Sequence, residues 1–174
     1  MPYSRDSFFG GTDMIISGLR KLTLLDFPGH VACTIFTAGC NLRCPFCHHA
    51  SLVLPEREFP SIDTQEVLAF LNKRKNVLNG VAITGGEPLL QAGMKDLILR
   101  IRELGYPVKL DTKGTFPDKL EELLCDGLVD YVAMDIKNAP ALYPETAGCD
   151  ASLVSAVERS RNLLLKGTVH YEFR

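Results

Sequence analysis

Residues 31–49 read VACTIFTAGCNLRCPFCHH. The first seven, VACTIFT, are apolar or β-branched on both faces, the pattern of a strand buried inside a parallel sheet. A glycine and three cysteines follow at once. Toward the N-terminus, residues 14–29 (MIISGLRKLTLLDFPG) alternate loosely and close on Phe27-Pro28-Gly29, which predicts a short strand and a connection. Toward the C-terminus, short apolar runs alternate with helical patterns. Residues 63–75 predict a helix with Val67, Leu68 and Leu71 at helical spacing and Asp63 as its cap. Further helices are predicted over 94–104, 118–124 and 152–165, the first and last ended by Gly105 and Gly167. Strands are predicted over 81–84 (VAIT), 108–110, 129–134 (VDYVAM) and 168–173. Strand–helix repeated four times and followed by a fifth strand predicts an α/β fold. Its parallel sheet is covered by helices, either as an open doubly wound sheet or as a barrel. Residues 1–13 carry no sustained period and read as a loose leader ahead of a single domain over 14–174.

The chain has 174 residues, 46% hydrophobic and 23% charged, which suits one soluble domain. Nineteen Lys and Arg against 21 Asp and Glu leave a net charge of -2, without the basic excess of a nucleic-acid binder. No apolar run approaches the ~20 residues of a membrane span, and the N-terminus lacks a signal pattern. A cytoplasmic location is therefore expected. In that reducing compartment, six cysteines call for an explanation other than disulfides.

The chemistry-bearing residues fall at successive strand ends. Cys40 follows the 31–37 strand, Gly85-Gly86-Glu87 follow the next, Asp111 ends the third, and Asp135 and Lys137 end the fourth. In parallel α/β sheets these ends share one face, where active sites collect. Cys40, Cys44 and Cys47 are spaced C-x3-C-x2-C, so one tight loop brings three sulfurs together. Two readings stand. One is a structural zinc site completed by His48 or His49, although zinc sites usually draw ligands from two separated halves. The other is an iron–sulfur cubane, which normally takes four thiolates; three leave one iron open to a substrate or cofactor.

The C-x3-C-x2-C loop, with an aromatic residue before its third cysteine, and GGEP at 85–88 resemble the radical S-adenosylmethionine (SAM) superfamily. The finer resemblance is to glycyl-radical-enzyme activases, above all the anaerobic ribonucleoside-triphosphate reductase activating proteins. It is carried by GLRKLTLLDFPG, FTAGCNLRCPFCHH, TGGEPLL, KLDTKG and VAMDIK. The resemblance implies a partial (β/α) barrel, with Cys40, Cys44 and Cys47 holding three irons of a 4Fe-4S cluster and SAM chelating the fourth. Phe46 and His48 would contact or pack on the adenine. Gly85 and Gly86 would let the backbone approach the methionyl amino group, with Glu87 adding a carboxylate nearby. Asp111 and Thr112 match a segment that in related activases helps hold a monovalent cation beside the SAM carboxylate. Asp135 and Lys137 match one that contacts the ribose and that carboxylate. Reduced by a low-potential donor such as flavodoxin or ferredoxin, such a cluster cleaves SAM to a 5′-deoxyadenosyl radical. That radical takes a hydrogen atom from a glycine of the partner enzyme.

His49 and Lys113 depart from the family pattern, standing where it has Asn. Cys33 reads as a small core residue, Cys125 and Cys149 as isolated, His30 and His170 as structural, and 73–75 (KRK) as a solvated patch. Two other functions remain open: a radical SAM enzyme acting on a small molecule, as in deazapurine biosynthesis, and a zinc-stapled binding module. Since relatives resemble a barrel of six strand–helix units, the chain is also expected to be a form cut short after about five parallel strands.

Overall fold

The computed structural model describes residues 14–53 and 61–174. The expected leader at 1–13 lies outside the described residues. Six strands form one sheet in the order β1 (Ile16–Thr23), β2 (Ala32–Thr37), β3 (Gly80–Gly85), β4 (Val108–Thr112), β5 (Tyr131–Met134) and β6 (His170–Phe173). From β2 to β6 every neighbour is parallel, and β1 runs antiparallel to β2 along one edge. Chain order and spatial order coincide. A doubly wound sheet would reverse its strand order at a switch point; a sheet that only advances is an arc of a barrel. Crossovers of one hand then place the connecting helices on one side.

Those helices are α1 (Thr64–Lys73), α2 (Met94–Glu103), α3 (Pro117–Cys125), α4 (Tyr143–Ala147) and α5 (Ser152–Leu164). Asp63 caps α1 as expected, its carboxylate accepting from the Gln65 amide at 2.8 Å. Pro117 opens α3 at a position where a missing N–H costs nothing. The short α4 was not expected, because five residues give no helical period to read.

Register sorts the strand residues onto two faces with different chemistry. Cys33, Val81 and Val108 lie side by side, as do Ile35, Ile83, Leu110, Val132 and Tyr171. This face joins Val67, Leu71, Ile98, Ile101, Leu120 and Leu164 of the helices in one buried cluster. Burying each such aliphatic side chain contributes roughly 1.5–3 kcal/mol. The alternate face carries Thr34, Ala82, Lys109, Asp111, Tyr131 and Glu172, small or polar at most positions. Cys33 is a core residue, as expected; burial pushes its thiol up to about 12. His30 stacks on Phe27 at 4.0 Å between centroids, and residues 73–75 are exposed.

Candidate functional site

The C-terminal strand ends meet on one face, and two kinds of bonding hold it. On the β2–β3 side the bonding is backbone to backbone. Gly86 N donates to the Thr37 carbonyl at 3.0 Å and Glu87 N to that of Gly39 at 2.8 Å. Gly85 sits at φ +126°, and a Cβ there would overlap the backbone of Thr37; a Cβ on Gly86 would overlap the carbonyl of Gly39. In this structure the space denied to a side chain is thus filled by the start of the cysteine loop. That contact accounts for glycine at both positions without a ligand.

The loop leaves this seam with Cys40 buried and Cys44 and Cys47 partly exposed. Leu42 N donates to Cys40 Sγ at 3.4 Å, and Cys47 N to the Cys44 carbonyl at 3.1 Å. The C-terminal end of α4 pins the loop from outside. Ala147 O accepts from Arg43 N at 2.9 Å and from the Cys44 thiol at 3.5 Å. Gly148, left-handed at φ +59°, packs so closely that a Cβ would overlap the Arg43 carbonyl. Cys149 follows, partly exposed, its thiol raised by burial and by the nearby Cys44. Cys125, by contrast, is exposed on α3. Burial pushes the Cys40 thiol up to about 11 and raises that of Cys44, while Lys113 and Lys137 pull the other way. Phe46 and His48 sit exposed on the loop, and Lys137 Nζ lies 5.9 Å from the Phe46 ring. His49, also exposed, has its ring 6.0 Å from that of Phe36.

At the seam, Glu87 is fully buried. Its carboxylate accepts from Leu89 N (3.0 Å), the Thr112 hydroxyl (2.9 Å) and Lys113 N (2.6 Å). Burial raises its pKa against the pull of those bonds. Glu87 therefore ties β3 to the end of β4, with no atom exposed to a ligand. The β4–β6 side is charged. Asp135 receives Lys113 and Lys137 on Oδ2, at 3.0 and 2.9 Å, and Arg174 on Oδ1 at 3.2 Å. Asp111 Oδ2 pairs with Arg174 at 3.3 Å. Lys109 Nζ lies 2.9 Å from Oδ1, an ion pair too poorly aligned to count as a hydrogen bond. Burial alone would raise the Asp135 carboxyl, but Lys113 and Lys137 outweigh it and hold it at about 2.

All twelve residues singled out from the sequence thus lie on this face, in three groups: the thiol loop, the glycine–glutamate seam and the aspartate–lysine cluster. Sequence reasoning missed Lys109 and Arg174, and it missed the part α4 plays. A lysine and an aspartate two apart in a buried strand, Lys109 and Asp111, were the available signal, since i and i+2 share a face.

The donor set suits an iron–sulfur cluster. Three soft thiols share one short loop, and the Lys113 and Lys137 ammonium groups offset part of the burial that raises the Cys40 and Cys44 thiols. Among the described residues, no three Cys, His, Asp or Glu side chains are gathered to hold a single metal ion. A cubane asks for something different, because each thiolate meets its own iron.

A parallel barrel arc with a three-cysteine loop at its first parallel strand defines the class, and the comparisons agree. The model of the radical SAM superfamily matches residues 34–152, and the chain belongs to that superfamily. A Methanocaldococcus jannaschii protein, provisionally named as a glycyl-radical enzyme activating enzyme, is 35% identical over 139 residues, covering 78% of this chain and 55% of its own. The 7-carboxy-7-deazaguanine synthase of Methanopyrus kandleri is 34% identical, covering 64% of this chain and 51% of its own. The pyruvate formate-lyase-activating enzyme of Clostridium pasteurianum is 31% identical, covering 71% and 53%. The chain thus spans about half the length of the curated relatives it matches. Among solved structures, native anSMEcpe with bound AdoMet aligns at a TM-score of 0.59 and 21% identity. That alignment covers 78% of this chain and 40% of the other, and it supports the fold. No helix among the described residues is long and apolar enough to cross a membrane.

Proposed function

We propose that the chain carries the cluster- and SAM-binding part of an activase that installs a glycyl radical on a partner enzyme, and that the partner is an anaerobic ribonucleoside-triphosphate reductase. The observation that carries the reading is the thiol loop of Cys40, Cys44 and Cys47 set beside the cationic strand ends of β4 and β5. When bound and reduced, the cluster supplies the electron that cleaves SAM. The three cysteines hold it, and α4 keeps their loop in place through Ala147 O. Phe46 and His48, exposed on the loop, offer the adenine a surface. Lys137 offers an ammonium to the methionyl carboxylate. Asp135, Asp111 and Thr112 fix the cations and the β4 turn around it. Glu87, with Gly85 and Gly86, acts by positioning: it locks the seam against which the loop packs. A flavodoxin or ferredoxin supplies the electron, and the reaction belongs in the cytoplasm.

The likeness to a glycyl-radical enzyme activating enzyme spans more of this chain than the likeness to the deazaguanine synthase. That difference favours a protein glycine over a small molecule as the hydrogen donor. The test is to mix the anaerobically reconstituted, reduced protein with SAM and the reductase of the same organism, and to record the electron paramagnetic resonance spectrum. A glycyl-radical doublet on the reductase is expected. Production of 7-carboxy-7-deazaguanine, with no radical on the reductase, would overturn the reading in favour of the small-molecule enzyme.

A further inference from the structure

The resemblance that assigns SAM to this face also assigns a dissolved monovalent cation to Asp111 and Thr112. The residues present do not fit one. An alkali ion needs several oxygen ligands free to turn toward it. Here Asp135 Oδ2 already holds two ammonium groups, Lys113 and Lys137, and Oδ1 holds the Arg174 guanidinium. Asp111 is bracketed by Lys109 on Oδ1 and Arg174 on Oδ2. The Thr112 hydroxyl donates to Glu87 and accepts from Gly114 N at 3.0 Å. Of these oxygens Asp111 Oδ1 lacks a hydrogen bond, and the Lys109 ammonium lies 2.9 Å from it. A further cation would have to displace one of four basic side chains tethered to the same strands, and like charges this close repel strongly in a partly buried site.

One of the four marks where this chain departs from its relatives. Lys113 stands where the family pattern has Asn, one residue past β4, and its backbone N–H is held by Glu87 at 2.6 Å. That bond fixes where the side chain starts, and Asp135 fixes where it ends. The ammonium is mostly buried and acts on Cys40 and Cys44 as well as on Asp135.

We propose that Lys113 is a built-in counter-cation: at Asp135, whose backbone N–H donates to Thr112 O beside Asp111, it supplies the positive charge that related activases take from a dissolved alkali ion, so this site works without K+ or Na+. The proposal rests on the reading of this face as a SAM site, and its test has an arm that does not.

The binding arm measures SAM affinity of the reconstituted protein in KCl and in tetramethylammonium chloride at equal ionic strength, the latter cation being too large for such a site. Wild type is expected to change by less than about threefold. Lys113→Asn is expected to lose about tenfold or more in tetramethylammonium and to recover in K+ or Na+, because an ion that couples to SAM binding must shift its affinity. Lys113→Arg, which keeps the charge, should stay indifferent to the salt. The melting arm repeats the comparison without SAM. Wild type should melt at one temperature in both salts, whereas Lys113→Asn should melt lower in tetramethylammonium and be raised by K+. A wild-type affinity or melting temperature that depends on the alkali ion overturns the proposal, as does a Lys113→Asn variant that ignores it. Absence of SAM binding in every salt would instead sink the functional reading, while the melting arm still decides the cation question.

Discussion

The two halves of the strand-end face are built in opposite ways. Between β2 and β3, backbone meets backbone: two glycines lie against Thr37 and Gly39, and no charged side chain holds the contact. From β4 to β6 the backbone ladder also runs on, Asp135 N donating to Thr112 O and Ile136 N to Arg174 O, but there charges bridge the strand ends as well, with Asp111 and Asp135 each answered by more than one cation. Backbone contact is insensitive to pH and salt but tolerates no added atom. A charge cluster accepts changes of shape but responds to protonation. The cysteine loop begins on the rigid half, and the lysines that act on its thiols come from the adjustable half. Ligand positions and local charge are thus set by separate parts of the chain.

The largest expected effect breaks the rigid half. Gly86→Ala puts a methyl group into the Gly39 carbonyl, and neither backbone can yield without opening the β2–β3 seam. A loss of about 3 kcal/mol or more is expected, a drop of ~10 °C in melting temperature, read by calorimetry. Glu87→Ala comes next. It strands the buried amides of Leu89 and Lys113, at about 1–3 kcal/mol for each unsatisfied donor. The Gly86→Ala loss should be nearly the same at pH 5 and pH 8, whereas the raised Glu87 carboxyl should make the Glu87→Ala loss larger at pH 5 than at pH 8.

Asp135→Asn probes the charged half. Its carboxyl is held at about 2, below the ordinary 3.8, so its contribution is present above about pH 3.8 and lost as pH falls toward 2. The variant should be less stable by about 2 kcal/mol at neutral pH, and the gap should close in acid. A pH-independent gap would mean that Asp135 acts through shape alone. The smallest effect is the control. Lys95, paired with Glu122 and Asp126 on the exposed helix surface, should be replaceable by Ala with a shift in melting temperature within about one degree.

The contrast also explains what could be read in advance. Buried parallel strands announce themselves as runs such as VACTIFT and VAIT, and capped helices as Asp63 before a spaced apolar stripe. The alternation, the shared face and the thiol loop were therefore legible. Strand order was not: the periods of an arc of barrel and of a doubly wound sheet are the same, and only the sheet shows that the strands advance without reversing. The antiparallel pairing of β1 with β2 was equally hidden, since it depends on register across a turn. Asp111, Asp135 and Lys137 were marked by their places at strand ends, but their pairing with Lys109 and Arg174 escaped, because those two lie far apart in the chain and each alone looks like an ordinary polar residue. The loop's outer support escaped because α4 is a single short turn of helix. The glycine pair was found, but its nearest physical reason is the Gly39 and Thr37 backbone.

The central claim is that Cys40, Cys44 and Cys47 hold an iron–sulfur cluster that acts on SAM, and the most direct measurement is made on wild type and Cys44→Ala side by side. Each is reconstituted anaerobically, assayed for iron, sulfide and zinc, then reduced with dithionite in the presence of SAM and assayed for 5′-deoxyadenosine. The account predicts about four irons and four sulfides per wild-type chain with 5′-deoxyadenosine formed, and neither a stable cluster nor cleavage in the variant. Full cleavage by Cys44→Ala, or tightly bound zinc without iron in the wild type, would contradict it.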